Sequence, residues 1–462
     1  MSTVYTFQTF QQEQAAGRQA EFMRSFVQQH CSSAPYKEAA SADLYDANRN
    51  PGAEDFSRAY AQMLQRLSKN TRPNIPRPDM VKSNLFRRLN KQRATYSLGN
   101  GVTFADDGVG KNRLGKDFDE QVQKAGYFSL IHGESFGFWN NDHLVVFKLT
   151  EFAPLYDEKT GLLRAGVRFW RLNPDTDMHY ILYEEDGFTE YTEDRISRRM
   201  DETTPKQAYK SVTVTTPGGG LESVEGQNYG SLPIVPLWGS DLHQSTLVGL
   251  KAYIDNTDLV MSGFCNDLQD CAQIYWLCEN FNGMTDDELQ EHLVKLNLYH
   301  IAGADTSEGG KITPYTTEVP VTARSALLEL LHNRVYEDFG GLDVHCVSAD
   351  STNDHLDAAY EPLNHNADDF EAQLKPFIRQ ICALAGFENA LPTFTRSKIT
   401  NTAEQVSMVI SEAPIIGNDM AIDLLPNLTP EQKEQAKAAL MAESATRETV
   451  EDNEEEEDSN NG

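Results

Sequence analysis

The chain has 462 residues, 39% of them hydrophobic, so it can bury a large core and is too long for one simple domain. Its 70 acidic and 40 basic residues leave a net charge of −30, which argues against a surface that wraps DNA by neutralising phosphates. The sequence has no run of 18 apolar residues, so it predicts no transmembrane helix, and its polar N-terminus predicts a protein kept in the cytosol.

Two helices are predicted in the first hundred residues. The pattern over residues 8–30 predicts one helix, and Asp79 is expected to cap another helix that ends at Gly99. Residues 68–93 contain eight basic residues and one acid. This basic stretch is either a patch for nucleic acid or a partner, or a solvated helix face beside an acidic neighbour.

The segment Gly-Glu-Ser-Phe-Gly, residues 133–137, matches the Gly-x-Ser-x-Gly pattern of serine hydrolases. In those enzymes the serine lies on a sharp turn that leaves a strand and enters a helix. Here a helical pattern precedes Ser135, and an apolar, β-branched run follows a turn at Asn140 to Asp142. The sequence therefore predicts that Ser135 lies in a strand leading into a hairpin and is not a nucleophile.

Residues 127–240 are rich in predicted strands. Alternating apolar residues predict a strand at 162–170, the Asp186-Gly187 pair predicts a hairpin, and prolines bound an extended strand near 231–240. The pattern then changes to a helix over 240–272 with an apolar stripe formed by Leu247, Leu250, Ile254, Met261, Phe264 and Leu268. Its polar faces carry Asp255, Asp258, Asp267 and Asp270, but no histidine or third acid stands at ligand spacing, so no metal site is predicted.

The remaining chain alternates between short and long elements. Residues 273–320 predict a compact unit of strands around a helix, 321–339 predict a helix, and 340–354 predict a polar, glycine-rich loop. A long helix follows, in which Pro362 and Pro376 predict kinks or breaks. A short strand near 392–398, two helices near 401–412 and 430–442, and a disordered acidic tail over 446–462 complete the prediction.

The sequence offers little that predicts catalysis. It contains neither a His-Glu-x-x-His motif nor a Rossmann glycine fingerprint, and the six cysteines match no common zinc spacing, so free thiols are expected. Gly110-Lys111 fails as a phosphate loop because Ala105 and Asn112 stand at its required glycine and hydroxyl positions. The sequence thus favours a structural or assembly protein without a cofactor.

The order of these segments resembles the portal proteins of tailed bacteriophages, of the type found in many long-tailed phages. That family has a Gly-Glu-[Ser/Ala]-aromatic strand, a Tyr-Asp-Glu turn and a Leu-Pro-Ile-Val-Pro strand before a helix rich in Leu, Ile and Asp. The corresponding segments here are "HGESFGFW", "PLYDE", "LPIVP" and the helix over 240–272. The resemblance extends over roughly residues 85–420.

The resemblance implies an α+β, multi-domain portal architecture and no enzyme activity. Its parts would be a strand-rich wing, a helical stem, a small α/β clip, a tunnel loop, a long kinked helix with a return strand of the wing, a helical crown and an acidic tail. These would occupy residues 1–240 (wing), 241–272 and 321–339 (stem), 273–320 (clip), 340–354 (tunnel loop), 355–399 (long helix and return strand), 400–445 (crown) and 446–462 (tail).

The resemblance also implies a head-tail connector: a homo-dodecamer at one capsid vertex of the virion, assembled in the host cytoplasm without contact to a membrane. Double-stranded DNA would pass through its channel without sequence specificity during genome packaging and ejection. The terminase large subunit, a head-completion or tail adaptor protein, and the major capsid and scaffolding proteins would be its partners.

The resemblance further suggests where three functional surfaces would lie. The tunnel loop would place His345, Ser348, Asp350, Ser351, Asn353 and Asp354 near the channel. The stem would turn Asp255, Asp258, Asp267 and Asp270 towards the lumen, where acidic side chains repel phosphate. The clip would present Glu288, Glu291 and Lys295 for docking.

Two other functions remain open from the sequence: a DNA-binding assembly module that uses the basic stretch 68–93, and a serine hydrolase that uses Ser135.

Overall fold

The structure is a computed structural model that describes residues 5–52, 54–55, 58, 80–105, 110–215, 221–271, 275–279, 311–315, 320–343, 352–398, 402–425 and 432–440. The helices are Phe7–Ala15 (α1), Gln19–Ser32 (α2), Ala34–Asp46 (α3), Leu85–Leu98 (α4), Phe118–His132 (α5), Leu247–Cys271 (α6), Val321–Phe339 (α7), Asn353–Leu384 (α8), Thr402–Ile416 (α9) and Asn418–Leu424 (α10). The strands are Val102–Phe104 (β1), Glu134–Asn140 (β2), His143–Lys148 (β3), Phe152–Tyr156 (β4), Leu163–Trp170 (β5), Met178–Glu184 (β6), Gly187–Glu193 (β7), Met200–Gln207 (β8), Lys210–Thr215 (β9), Leu221–Gln227 (β10), Ile234–Trp238 (β11), Tyr275–Glu279 (β12), Lys311–Tyr315 (β13) and Pro392–Phe394 (β14). This mixture agrees with the predicted α+β class.

The strand-rich part forms two main antiparallel sheets. One has five strands in the order β4-β5-β6-β7-β8, and the other has three in the order β11-β2-β3. The predicted strands at 162–170 and 231–240 are confirmed as β5 and β11, and the Asp186-Gly187 turn joins β6 to β7 as predicted. The predicted apolar face of β5 is also confirmed, because Ala165, Val167 and Phe169 are buried.

The N-terminal helices cover one face of the five-stranded sheet. Phe10, Phe22 and Met23 are buried in the same apolar cluster as Ala165 and Val167 of β5. The prediction of a single helix over 8–30 was wrong, because the chain turns at Gly17 (φ +73°) between α1 and α2. The left-handed backbone there is accessible to glycine without steric cost, and it lets both helices reach the sheet.

A second core joins segments that are far apart in sequence. Helix α5 packs on β2 and β3, and α8 packs on β11 and β2 within the same apolar cluster. An added Cβ at Gly137 would lie 2.6 Å from the ring of Phe377, so the missing side chain on β2 is what lets the α8 ring approach. Strand β14, which follows α8, pairs antiparallel with β1, which lies between α4 and α5. This pairing is a second contact between the end of α8 and the segment before α5.

Helix α8 runs for 32 residues through both Pro362 and Pro376, so of the predicted kinks or breaks a break is wrong, and a kink stays a prediction. An internal proline costs roughly 3 kcal/mol through its lost hydrogen bond and ring clash. Each fully buried large apolar side chain returns about 1.5–3 kcal/mol. The buried face of α8 carries enough of them to outweigh two prolines: Leu356, Tyr360, Leu363, Phe370, Leu374, Phe377, Ile378 and Ile381.

Ser135 lies in β2, directly before the β2–β3 hairpin, as the sequence predicted. The residue is fully buried, and its hydroxyl donates a hydrogen bond to the carbonyl oxygen of Ala125 at 2.8 Å. Helix α5 precedes it and ends at His132, followed by the C-cap residue Gly133, whose φ is +87°. The strand-to-helix turn that exposes a nucleophilic serine is therefore absent at this motif.

The carboxylate of Asp258 in α6 binds the segment between α3 and α4 near both of its ends. The Asn50 side-chain amide donates to Asp258 Oδ2 at 2.6 Å, and the Ser83 backbone N–H donates to Oδ1 at 2.8 Å. The backbone N–H of Val81 donates to Ser262 Oγ at 3.0 Å, one turn further along α6. Helix α4 itself begins at Leu85 after Asn84, and Asp79, its predicted cap, lies outside the described residues.

These contacts correct the expectation that Asp258 faces a lumen, because only 1% of the residue is exposed. Burial raises the pKa of the Asp258 carboxyl above its ordinary value, and the hydrogen bonds from Asn50 and Ser83 act in the opposite direction. Asp255 is also engaged within the subunit, since its carboxylate accepts hydrogen bonds from Lys251 Nζ at 2.5 Å and from the Tyr45 hydroxyl. The side chains of Asp267 and Asp270 lie outside the described residues.

We expect Asp258→Ala to lower the free energy of unfolding by about 2–4 kcal/mol, because it leaves the Asn50 amide and the Ser83 N–H without their acceptor. Asn256→Ala is the matched control: it lies on the same helix, is exposed, and should change stability by less than about 0.5 kcal/mol. Urea unfolding of both variants measures the difference. Equal midpoints for the two variants would contradict an anchoring role for Asp258.

Candidate functional site: a helix pair with exposed apolar ends

Helices α6 and α7 pack against each other as an antiparallel pair. The Tyr253 hydroxyl is hydrogen-bonded to Asp338, which raises the pKa of this tyrosine, and the Arg324 guanidinium lies 5.8 Å from the centre of the Phe264 ring. Residues early in α6 therefore face residues late in α7, and residues late in α6 face residues early in α7. The predicted helices 240–272 and 321–339 are confirmed, with α6 starting at Leu247.

One end of this pair is embedded in the core. Leu247, Leu250 and Ile254 at the start of α6 are buried, and so are Val335 and Phe339 at the end of α7. These side chains belong to the same apolar cluster as α5 and α8. The predicted stripe of α6 is thus confirmed as a packing surface in its first half.

Away from this buried end, the pair exposes apolar side chains. Leu268 of α6 is 51% exposed, and Val321, Leu327 and Leu330 of α7 are 47%, 42% and 54% exposed. Large apolar side chains in such number along one helix pair are typical of a surface that another molecule covers. Next to this end, β12 and β13 pair antiparallel, with Tyr275 opposite Tyr315 and Glu279 opposite Lys311.

The strands β12 and β13 confirm the two outer strands predicted for residues 273–320. The three residues expected to dock a partner from this unit, Glu288, Glu291 and Lys295, lie outside the described residues. What the structure shows of the unit is its base, where the chain leaves α6 into β12 and returns from β13 into α7. The unit is therefore attached at the exposed end of the helix pair.

Four residues predicted for the loop after α7, His345, Ser348, Asp350 and Ser351, also lie outside the described residues. The other two, Asn353 and Asp354, begin α8, so the loop ends earlier than predicted. Thr352 caps this helix by accepting a hydrogen bond from the His355 backbone N–H at 3.4 Å. A carboxylate at Asp354, in the first turn, interacts favourably with the helix dipole.

In the described part of the basic stretch 68–93, the cationic side chains contact partners within the same subunit. Arg93 is only 6% exposed, and its guanidinium lies 3.7 Å from Asp369 of α8. Lys82 pairs with Glu54, Arg87 pairs with Asp46, Arg88 donates to the Tyr336 hydroxyl, and Lys91 lies over the Tyr127 ring. Intramolecular partners for these five cations favour the interpretation as a packed, partly solvated helix over a DNA-binding patch.

Helices α9 and α10 carry a second set of exposed apolar residues. Ile410 and Ile415 of α9 are 62% and 86% exposed, and Met420 of α10 is 59% exposed. The predicted helix at 401–412 is confirmed and continues to Ile416, and residues 432–440 are helical within the predicted 430–442. Their role in the predicted crown stays a prediction.

The part of the chain that the structure describes contains no group of three acidic, histidine or cysteine side chains placed to hold a metal ion. Within the same ranges, no helix has the length and apolar character needed to cross a bilayer. Cys31, Cys265 and Cys382 are free thiols.

Comparison with known proteins supports the resemblance seen in the sequence. Residues 53–448 match the family described as "Phage portal protein, SPP1 Gp6-like". The chain is also 29% identical over 220 residues to the portal protein of Clostridium phage phiCD119, a match that covers 45% of this chain. The chain spans about half of that relative, 48% of its length. Because the family match covers most of the 462 residues, the chain belongs to the SPP1 Gp6-like family of phage portal proteins.

Proposed function

We propose that this chain forms a closed ring of twelve subunits at one vertex of a phage capsid. Double-stranded DNA enters through the axial channel of the ring during genome packaging and leaves through it during ejection. Membership in the portal family supports this function. Within the structure, the observation that carries it is the helix pair α6–α7, which is anchored in the core at one end and exposes apolar side chains at the other.

The molecule that covers this exposed surface would be a neighbouring subunit. A contact between two different faces of identical subunits generates a ring when the rotation closes, so each helix pair would be covered by the next copy. Burying a leucine or valine side chain returns about 1.5–3 kcal/mol, and several such residues line α7 in each subunit. Repeated around a ring, this burial offsets the entropy lost on assembly.

Passage of DNA without tight binding requires a lumen that does not attract phosphate strongly. Asp258 does not contribute to such a lumen because it is buried, and the charge of Asp255 is partly compensated by Lys251. Asp267 and Asp270, further along α6, remain the acidic lumen candidates of the stem. The net charge of −30 favours the same behaviour, since it opposes non-specific attraction of DNA to the ring.

The proposed partners follow from the ring. The terminase large subunit and then a head-completion or tail adaptor would dock on the clip, residues 273–320, because this unit is attached at the exposed end of the helix pair. The major capsid and scaffolding proteins would contact the wing at the vertex. The ring would be assembled in the host cytoplasm and remain in the virion.

The ring proposal predicts a particle of about 620 kDa for twelve chains of 51.8 kDa. Leu330→Arg should shift the protein towards monomers and small oligomers, because it places a charge in the proposed subunit contact. Leu172→Arg is the control, since Leu172 is 77% exposed in the turn between β5 and β6 and should leave the ring intact. Native mass spectrometry and light scattering measure both variants.

Two results would count against this proposal. A wild-type protein that stays monomeric or dimeric at every salt concentration would argue against the ring. A Leu330→Arg variant that forms normal rings would show that the subunits meet through another surface.

Docking on the clip predicts that reversing three charges together, with Glu288→Lys, Glu291→Lys and Lys295→Glu, blocks capture of the purified terminase large subunit by the ring. Ring mass should stay unchanged because the proposed subunit contact is made by the exposed apolar residues of α6 and α7 and not by these three positions. A pull-down with labelled terminase measures the binding. Wild-type binding by normal rings would assign the docking surface elsewhere.

We also propose that the loop between α7 and α8 borders the channel and acts on DNA passage. Deletion of Val347 to Ser351 keeps Thr352, which caps α8, and should leave ring mass unchanged. It should lower the fraction of particles that package or retain full-length DNA, measured by nuclease protection and gel length analysis. Full-length, protected DNA at wild-type yield would show that this loop is only a connector.

A further inference from the structure

The turn that follows α7, residues 340–343, is held by side chains from three helices. Gln92 of α4 binds it reciprocally: its Nε2 donates to the Leu342 carbonyl oxygen at 2.9 Å, and the Leu342 backbone N–H donates to Gln92 Oε1 at 3.0 Å. A primary amide thus satisfies both backbone groups of one residue, as a neighbouring strand would. A single side chain thereby fixes the backbone at Leu342 in position and in orientation.

Two further contacts hold the residues on either side. The Asn366 side chain of α8 donates to the carbonyl oxygens of Phe339 at 2.7 Å and Gly340 at 3.2 Å. These carbonyls end α7, where a helix leaves acceptors without intrahelical partners. His332 Nε2 lies 2.9 Å from Asp343 Oδ2, which ties the end of the turn back to α7.

The side chain of Leu342 is also held. It is 6% exposed and packs in an apolar cluster with Tyr96 of α4 and Tyr360, Leu363 and Ala367 of α8. Gly340, which begins the turn, has a φ of +65°, and an added Cβ would lie 2.3 Å from the Asn366 amide nitrogen. The turn is therefore fixed by backbone hydrogen bonds, side-chain burial and a glycine that permits the close approach of Asn366.

We infer that Gln92 is a positioning residue that sets the point and direction in which the chain leaves the helix pair before residue 344. This inference rests on the proposed function of the loop between α7 and α8. It adds that the root of this loop is a fixed pivot connected to α4, rather than a part of the loop that moves with DNA. A loop that acts on DNA from a fixed root needs such an anchor, because a displaced root would move its tip relative to the channel axis.

Gln92→Ala, Gln92→Glu and the control Thr95→Ala test the inference in assembled rings. Gln92→Ala removes both bonds to Leu342, whereas Gln92→Glu keeps an acceptor for the Leu342 N–H and cannot donate to the Leu342 carbonyl. Thr95 is exposed one turn further along α4. Hydrogen–deuterium exchange should show faster exchange of the Leu342 amide, by roughly tenfold or more, in Gln92→Ala. Gln92→Glu should lie between Gln92→Ala and wild type, and Thr95→Ala should match wild type.

The functional measurement is retention of full-length packaged DNA, compared with the Val347 to Ser351 deletion. Reduced retention in Gln92→Ala rings of normal mass, with the smaller effect in Gln92→Glu, supports the positioning role. Should Gln92→Ala fail to assemble, Gln92→Glu carries the same comparison with smaller expected changes.

Three outcomes overturn the inference at different points. Unchanged exchange at Leu342 in both Gln92 variants would show that Gln92 does not hold the turn. Faster exchange with normal retention, while the deletion impairs retention, would leave the loop function standing and remove Gln92 from it. Normal retention in the deletion itself would reject the proposed function of the loop, and with it any positioning of that loop by Gln92.

Discussion

The apolar face of α8 is the interaction on which the rest of this structure depends. It closes the core formed by α4, α5 and the three-stranded sheet, and its burial outweighs the cost of two prolines inside the helix. The close approach of Phe377 to β2 requires a residue without a side chain at Gly137. The hydrolase-like glycine pattern around Ser135 therefore has a packing explanation, and the serine hydroxyl serves to bind the carbonyl of Ala125.

This core also fixes the base of the helix pair. The buried ends of α6 and α7 belong to the same apolar cluster. Asp258 of α6 also binds the segment between α3 and α4 near both of its ends. Away from this base, the pair exposes three leucines and one valine that a single subunit leaves uncovered. A ring-forming subunit needs a fixed base and an exposed apolar surface. The base sets the orientation of the helix pair, and this orientation sets the angle between neighbouring subunits.

Much of the local structure was predictable because it depends on neighbours in sequence. Period-two alternation identified β5, and the Asp186-Gly187 pair identified the hairpin of β6 and β7. A helical pattern before Ser135 and a turn after it placed this residue in a strand. The helix bounds were less predictable where packing decides them. Gly17 ends α1 inside a pattern that looked continuous, and α8 continues through prolines that favour a break.

The sequence by itself determined the α+β class, the succession of strands and helices, and the resemblance to portal proteins, since these follow from residue patterns within short windows. Only the tertiary structure decided the environment of individual polar residues. Asp258 carries a charge that favours a solvent-facing position on α6, yet it is buried and hydrogen-bonded to Asn50 and Ser83, which lie about 200 residues earlier in the chain. Gln92 gave no sequence signal because its partner, Leu342, is 250 residues away. Such contacts depend on how distant segments pack, and a burial pattern read along one helix does not contain the partner that covers it.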